Sequence, residues 1–288
     1  MMKYLPIVLS IWFLTSGCLK EKPEGENCSR RVSFVMKDMP YVYSGEEAVG
    51  YRPYYTFVEQ LDLYVVAGRK PVKAGEYGFD FCREHPVITE RLDLYASEVL
   101  FAANVFDSKM LHWDDREGEL HAYFSIIDHE EPPMILAASA KAGGKRDSVG
   151  VELRLLVSRL EIKLVNPPEW VRGLEVTVDR ISETVAVDYS LGEATYIRKQ
   201  LLFDRQGTDA YLYGVNTFPS YQDNPAIVKI DLLGAEPVAP ILVDDDRMHL
   251  WPGIITRLDL IFDDRGKVAV EIEVEGKWEI VDGGSIII

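Results

Sequence analysis

The sequence predicts an all-β protein made of two β-sandwich domains behind an export signal. Short runs of β-branched and aromatic residues recur along most of the chain at roughly 8–12-residue spacing, with few helical stretches between them. A Gly-Gly break near the middle separates two sets of these runs. The first 17 residues differ in character from all of this and are typical of a cleaved leader.

Period-two alternation is the main evidence for strands. Residues 57–66 and 149–165 alternate apolar and polar side chains, as a half-buried strand requires. Residues 258–262 and 268–274 do the same on either side of an Asp-Asp-Arg-Gly turn, which predicts a β-hairpin. The alternation also predicts a strand over residues 77–81.

The predicted boundary between the domains lies between residues 147 and 148. Residues 142–147 read Ala-Gly-Gly-Lys-Arg-Asp and carry no apolar periodicity, which is typical of a linker. The first domain is therefore predicted over 32–147 and the second over 148–288. A single large sandwich of about 250 residues is the alternative.

The N-terminus predicts a lipoprotein signal peptide over residues 1–17. One basic residue, Lys3, precedes an apolar run over 5–14, and the segment Thr-Ser-Gly-Cys follows and ends at Cys18. The run is shorter than the roughly 20 residues that a spanning helix needs. A cysteine directly after Ser-Gly resembles the bacterial lipobox, in which the chain is cut before a cysteine that carries lipid. We therefore predict cleavage between Gly17 and Cys18 and lipidation of Cys18; the alternative is an ordinary signal peptide with an incidental cysteine.

Residues 18–31 read as a lipidated tether, because they are polar, contain Pro and Gly, and lack apolar periodicity. The net charge of the chain is −16, and removal of the leader makes it one unit more negative. This sign repels nucleic acids and anionic lipid surfaces. The predicted tie to the membrane is therefore the lipid, and nucleic acid is excluded as a partner.

The chain has three cysteines, and lipid on Cys18 leaves Cys28 and Cys82. In an exported protein two remaining cysteines permit one disulfide. Two separate thiols are an equally good interpretation of the sequence.

The sequence carries no catalytic or metal-binding signature, so we predict a protein that is not an enzyme and that uses no metal or cofactor. The histidines are scattered singly, without metal-ligand spacing; they are His85, His112, His121, His129 and His249. The acidic run 244–246 lacks the alternating oxygen ligands and the glycine of a calcium loop, which favours a solvated turn. Nucleophile-elbow and phosphate-loop motifs are also missing from the sequence.

Two further segments have uncommon composition. The segment 40–57 holds five tyrosines, namely Tyr41, Tyr43, Tyr51, Tyr54 and Tyr55. They could form an adhesive or sugar-binding face, although a loop that its aromatic side chains pin to the sandwich is favoured. The chain ends in Ile286-Ile287-Ile288 behind Gly-Gly, a segment that would be a costly exposed edge. We expect it to be buried in its own domain, with burial in a partner as the alternative.

Taken together, these features resemble the fimbrillin-associated anchor lipoproteins, minor subunits of type V fimbriae in Gram-negative anaerobes. The resemblance rests on Cys18 with Cys28 ten residues later, the early strand 32–36, the run 58–66 and the mid-chain run 156–164. It spans most of the chain after the leader. It implies two transthyretin-like, Greek-key sandwich domains, an outer-membrane lipid anchor, and a role in attaching the fimbria and limiting its length.

The function predicted from the sequence is that of a surface-exposed outer-membrane lipoprotein that anchors or assembles a fimbria by β-strand complementation with a fimbrial stalk subunit. The alternative is a carbohydrate-binding or adhesin lipoprotein of a nutrient-uptake system. An open groove on one sandwich, flanked by unpaired strand edges, would favour the first. A shallow concave site lined by Tyr54, Tyr55 or Trp113 would favour the second. The sequence leaves open which sheet edge accepts a strand, and whether the protein faces the periplasm or the cell exterior.

Overall fold

The computed structural model describes residues 29–42, 49–68, 70–93, 96–116, 119–142, 147–202, 210–234, 238–263 and 268–277. Almost all regular structure in these ranges is β, which confirms the predicted class. The strands, in chain order, are β1 Ser29–Met36, β2 Met39–Val42, β3 Val49–Arg52, β4 Gln60–Ala67, β5 Lys70–Gly78, β6 Val87–Asp93, β7 Ala96–Ala103, β8 Leu111–Arg116, β9 Glu119–Ser125, β10 Leu136–Lys141, β11 Ser148–Val151, β12 Arg154–Leu155, β13 Ser158–Val165, β14 Val171–Ser182, β15 Thr184–Ala186, β16 Ala194–Leu202, β17 Ala210–Thr217, β18 Ile227–Gly234, β19 Ile241–Asp244, β20 Ile254–Phe262 and β21 Val268–Lys277. The helices are α1 Phe79–Glu84 and two 3₁₀ turns, Tyr54–Phe57 and Ser108–Met110.

The first half of the chain forms a sandwich of a three-stranded and a five-stranded sheet. Their strand orders are β11-β1-β6 and β12-β10-β7-β4-β5. Alternate side chains of each strand point between the sheets, as the strand period of two requires. Phe34 of β1 and Phe101 of β7 meet there edge to face, with ring centroids 5.1 Å apart, and both side chains are fully buried.

The second half forms a sandwich of two four-stranded sheets, ordered β17-β13-β20-β21 and β16-β14-β18-β19. The alternating residues Leu160, Ile162 and Leu164 of β13 are fully buried in its core. The hairpin predicted around residues 258–274 is confirmed, because β20 and β21 pair antiparallel from Phe262↔Val268 outward.

The two halves share one connectivity of seven strands. In each half the first strand pairs in parallel with the seventh and antiparallel with the fourth. In each half the second sheet has the order third, second, fifth, sixth. The seven strands are β1, β4, β5, β6, β7, β10 and β11 in the first half, and β13, β14, β16, β17, β18, β19 and β20 in the second. This is the Greek-key arrangement of two sheets that the transthyretin-like resemblance implies, present twice.

The change from one core to the other falls between Val157 and Leu160. Buried side chains up to Val157 belong to the first core, and those from Leu160 onward mostly belong to the second. The short strands β11 and β12, which follow the boundary drawn at 147/148, pair with β1 and β10 of the first half. The division into domains 32–147 and 148–288 stays a prediction, and this pairing places residues 148–155 with the first sandwich.

A small third sheet joins the halves. Its order is β15-β9-β8, and β15 reaches it directly from the end of β14, so that Thr184 lies opposite Ser125. Polar contacts reinforce the junction: the carboxylate of Glu131 accepts a hydrogen bond from the backbone N–H of Asn216 at 2.7 Å and forms an ion pair with Lys199.

The strand predicted over residues 77–81 is wrong in its second part. Strand β5 ends at Gly78, and helix α1 follows. A single helical turn buries Cys82 completely and pairs Asp80 with Arg83, three residues on, at 3.0 Å. Tertiary packing therefore overrides the local alternation of Tyr, Phe and Phe.

Candidate functional site

Most of the sequence-predicted site residues lie outside the described ranges. Gly17, Cys18 and Cys28 belong to residues 1–28, so signal cleavage, lipidation and the disulfide between Cys28 and Cys82 stay predictions. The terminal segment Ile286–Ile288 also lies outside the described part of the chain.

Cys82 lies in α1 with a fully buried side chain. Burial raises the pKa of its thiol, and its Sγ lies 4.0 Å from the carbonyl oxygen of Tyr77. A protonated, buried thiol is chemically inert. The surroundings of Cys82 therefore show a packing role.

Of the tyrosine-rich segment, Tyr54 is buried and Tyr55 is partly buried. The single O–H of Tyr54 is shared between the carbonyl oxygens of Cys82 at 2.8 Å and His85 at 3.0 Å, in the last turn of α1 and directly after it. Tyr54 therefore pins this segment to the helix. The side chains of Tyr41, Tyr43 and Tyr51 lie outside the described residues.

Of the acidic run 244–246, Asp244 is the last residue of β19, and the chain turns directly after Asp245. Both oxygens of the Asp245 carboxylate accept hydrogen bonds from the Arg247 guanidinium, at 2.9 and 3.0 Å. These bonds lower the pKa of Asp245 to about 2. Within the ranges that the structure describes, no three His, Cys, Asp or Glu side chains converge as a metal site. No helix among the same residues is long and apolar enough to cross a membrane.

Two features of the first sandwich remain as candidate sites. The first is the outer edge of β11. This strand is hydrogen-bonded to β1 on one side and is the last strand of its sheet on the other. In the second half, the equivalent strand β20 is covered on that side by β21. The described residues include no strand at the corresponding position beside β11.

The direction of the hydrogen bonds shows which groups of β11 face outward. The N–H groups of Ser33 and Lys37 donate to the carbonyl oxygens of Asp147 and Val151 at 2.9 and 2.8 Å. Because successive residues of a strand alternate in direction, the backbone N–H and C=O groups of Ser148 and Gly150 point away from β1, toward the open edge. These groups could pair with an added strand.

The second feature is a cleft on the opposite sheet, which we call the Trp113 cleft. The small sheet β15-β9-β8 lies over the outer face of the five-stranded sheet and leaves a space of about 200 Å³ at one end. Its lining residues include Trp113, Glu98, Leu100, His121, Ser139 and Asp188. Of the three side chains proposed from the sequence as a concave aromatic site, Trp113 lines this cleft, whereas Tyr54 and Tyr55 pack against the core near α1.

Sequence reasoning did not identify Glu98, His121 or Asp188 as site residues. Each comes from a different strand or turn, and the spacing between them in sequence carries no pattern. The only local signal was the aromatic residue Trp113 in a run of polar residues. The partners that surround it are set by the packing of two sheets.

No family model matches the chain, and no curated protein matches it significantly in sequence. Solved structures do resemble this chain in three dimensions. A candidate polysaccharide-binding protein from Bacteroides thetaiotaomicron aligns with a TM-score of 0.54 at 12% identity, over 88% of this chain and 99% of that one. A candidate adhesin from the same organism aligns with a TM-score of 0.53 at 11% identity, over 85% of this chain and 97% of that one. The fimbrial anchor protein Mfa2 from Porphyromonas gingivalis aligns with a TM-score of 0.48 at 10% identity, over 87% and 100% of the two chains.

The chain shares the fold of the two Bacteroides proteins. The agreement extends over nearly the whole length of both, so it covers both sandwiches rather than one. The structural resemblance predicted from the sequence is therefore confirmed at the level of the fold. None of the three proteins is described as an enzyme.

Proposed function

We propose that this protein is a non-enzymatic, lipid-anchored surface protein that holds a fimbria at the outer membrane by accepting a β-strand from a fimbrial subunit. The observation that carries the proposal is the open edge of β11, at the position that the second half fills with its own strand β21. The lipobox resemblance at Cys18 supplies the membrane tie, and the descriptions of the structurally similar proteins as adhesin and fimbrial anchor support a surface role.

The edge of β11 lacks the features that prevent strand addition elsewhere in the first sandwich. Exposed edges are usually blocked by charged side chains or proline. The edge strand β5 carries Lys70, Pro71 and Lys73, whereas β11 reads Ser-Val-Gly-Val. The residues of β11 are small and uncharged, and the flexible side chain of Lys37 lies over Gly150, with its Cε 3.0 Å from where a Cβ would stand. An added strand or a residue larger than glycine at 150 therefore requires that the Lys37 side chain move aside.

Packing also favours an added strand at this edge. Val149 lies opposite Phe34, so its side chain points toward the core, yet it is only partly buried. A strand laid beside β11 would cover Val149 with its own inward-facing side chain. In strand addition, main-chain hydrogen bonds supply affinity and such side-chain contacts supply specificity.

Proline substitutions test whether the outer edge of β11 accepts a strand, because each removes an outward N–H group and leaves the pairing of β11 with β1 unchanged. The variants Ser148→Pro and Gly150→Pro each remove one outward donor, and Ser148→Ala is the matched control that keeps it. We expect both proline variants to leave the melting temperature nearly unchanged and to shed fimbriae from the cells. Ser148→Ala should retain them. If cells that carry both prolines hold their fimbriae as firmly as wild type, the edge of β11 is not the acceptor.

Deletion of the gene tests the anchor role itself. We expect fibres that are released or altered in length, counted by electron microscopy of cells and of the culture medium. Normal fibres that stay attached to the deletion strain would disprove the anchor function, whichever edge is used.

The variant Cys18→Ala tests the membrane tie separately. We expect the protein to leave the membrane fraction and to keep its fold, because Cys18 precedes the first strand of the sandwich, which begins at Ser29; the last three residues of the predicted tether 18–31 belong to that strand. Unchanged membrane retention of Cys18→Ala would contradict lipidation at this position.

A further inference from the structure

The Trp113 cleft plays no part in the proposed strand addition. It lies on the outer face of the sheet β12-β10-β7-β4-β5, whereas β11 belongs to the other sheet of the same sandwich. A ligand in the cleft and a strand at the β11 edge can therefore be bound at the same time. The function of the cleft can also be tested independently.

The cleft has an apolar floor and a polar rim. Val66, Leu100 and Ala186 are buried at its base. Trp113 stands over them, partly buried, with its ring edge-on to Tyr64 at a centroid distance of 5.8 Å. The exposed side chains of Ser139 and Asp188 lie at the mouth, and the partly buried Glu98 and His121 lie between mouth and floor.

Two carboxylates, those of Glu98 and Asp188, supply hydrogen-bond acceptors in the cleft, whereas Ser139, His121 and the indole N–H of Trp113 can donate. Burial raises the pKa of Glu98, although the hydroxyl of Ser139 donates a hydrogen bond to it. Hydrogen bonds from Ser190 lower the pKa of Asp188, so its carboxylate stays ionised. An ionised carboxylate accepts hydrogen bonds and donates none. A ligand that matches the cleft therefore carries hydroxyl groups, which both donate and accept, together with one apolar face.

We propose that the Trp113 cleft binds one pyranose unit of a glycan, with a C–H face of the sugar ring against Trp113 and its hydroxyl groups donating to Glu98 and Asp188. The volume of about 200 Å³ lies below the roughly 300–1,000 Å³ of sites for drug-sized ligands, which fits one ring rather than a chain. Aromatic side chains offer a large, rigid contact area at low cost in conformational entropy.

The charges around Glu98 favour a hydroxyl ligand over a cation. Lys141 lies directly opposite Glu98 in the strand pairing, and both Lys141 and His121 favour the charged form of Glu98. Glu119 has the opposite effect, because its negative charge disfavours the charged form of Glu98. Because Lys141 already offsets the charge of Glu98, a cationic ligand is not needed to neutralise it. Sugar hydroxyl groups can donate to the carboxylate without disturbing that arrangement.

The test is saturation-transfer NMR on the full chain with free glucose, galactose, mannose, fucose and N-acetylglucosamine, each at ~10 mM, a concentration at which a site of Kd ~1 mM is mostly occupied. We expect transfer to the ring protons of at least one sugar. The variants Trp113→Leu and Glu98→Gln should each weaken binding about tenfold, since the first removes the aromatic contact and the second replaces a charged hydrogen-bond acceptor by a neutral one. Lowering the pH should weaken wild-type binding as Glu98 gains a proton, and this loss should be absent in Glu98→Gln.

Matched controls lie on the second sandwich. Glu175→Gln and Trp251→Leu change the same residue types far from the cleft, and both variants should bind sugar as wild type does. Melting curves confirm that each variant is folded. The proposal is overturned if no sugar shows transfer, if Trp113→Leu binds as tightly as wild type, or if lysine methyl ester binds at the cleft while the sugars do not. None of these outcomes affects the fimbrial tests at Ser148 and Gly150.

Discussion

Replacement of Asn104 by alanine is expected to cost more stability than any single hydrogen bond accounts for. Asn104 follows β7, is 4% exposed, and has a positive φ of 62°. Its amide nitrogen donates to the carbonyl oxygens of Phe57 and Met134, both at 2.8 Å. Its amide oxygen accepts from the N–H of Glu59 at 2.8 Å. One side chain thus joins three segments of the first sandwich that are distant in sequence.

The expected loss in the free energy of unfolding follows from these contacts. The variant Asn104→Ala leaves three backbone polar groups without their partner, at ~1 kcal/mol each at the lower end of the range for buried groups. Alanine in the left-handed region adds about 1 kcal/mol, because its Cβ crowds the following carbonyl. The total loss in the free energy of unfolding is about 4 kcal/mol. Asn104→Gly should lose about 1 kcal/mol less, since glycine accepts the backbone conformation.

Asn166 provides the control, because it also has a positive φ, 54°, but is exposed. Asn166→Ala should cost about 1 kcal/mol, from the backbone conformation alone. Urea unfolding of the wild type and the three variants, followed by tryptophan fluorescence, gives the change in the free energy of unfolding for each. If Asn104→Ala loses no more stability than Asn166→Ala, the side-chain hydrogen bonds of Asn104 do not hold the three segments together.

Three further outcomes are expected. Tyr54→Phe should destabilise the first sandwich by about 1–3 kcal/mol in urea unfolding, because the carbonyl oxygens of Cys82 and His85 lose the one O–H that they share; an unchanged midpoint would contradict this. In reduced protein the Cys82 thiol, buried and with a raised pKa, should resist iodoacetamide at pH 8 until the protein is unfolded; rapid alkylation of Cys82 itself in the folded protein, located by peptide mass spectrometry, would show that it is accessible. Glu98→Gln should raise the melting temperature at pH 7, since the folded pKa of Glu98 lies above its ordinary value of 4.5 and its ionisation therefore opposes folding. This gain should disappear below pH 4.5, where Glu98 is protonated in both states, and a gain that persists there would have another cause.

The sequence predicted the positions of individual strands better than it predicted which strands pair with one another. The alternation in residues 258–262 and 268–274 was sufficient for the hairpin, because both strands and the turn are local. The parallel pairing of β1 with β11 joins residues more than 100 positions apart, and alternation carries no information about such a partner. The shared connectivity of the halves was therefore not visible in the sequence.

The same distinction applies to the candidate sites. Trp113 could be named from the sequence as a residue of a concave site, but Glu98 and Asp188 could not, because packing of one sheet on another brings them beside it. The open edge of β11 is likewise a property of strand order. It became visible only when the second half showed what occupies the equivalent position.

The second half of the chain contributes buried residues to the first core, and this has a consequence for the order in which the molecule folds. The first core contains Val185, Phe218 and Ile255, which all come from the second half of the chain. The second core draws its buried residues entirely from positions after Val157. A chain that emerges from its N-terminus thus cannot complete its first sandwich until much of the second has arrived. A fragment that ends at Val157 should be digested by protease much faster than the whole protein, whereas one that begins at Ser158 should persist.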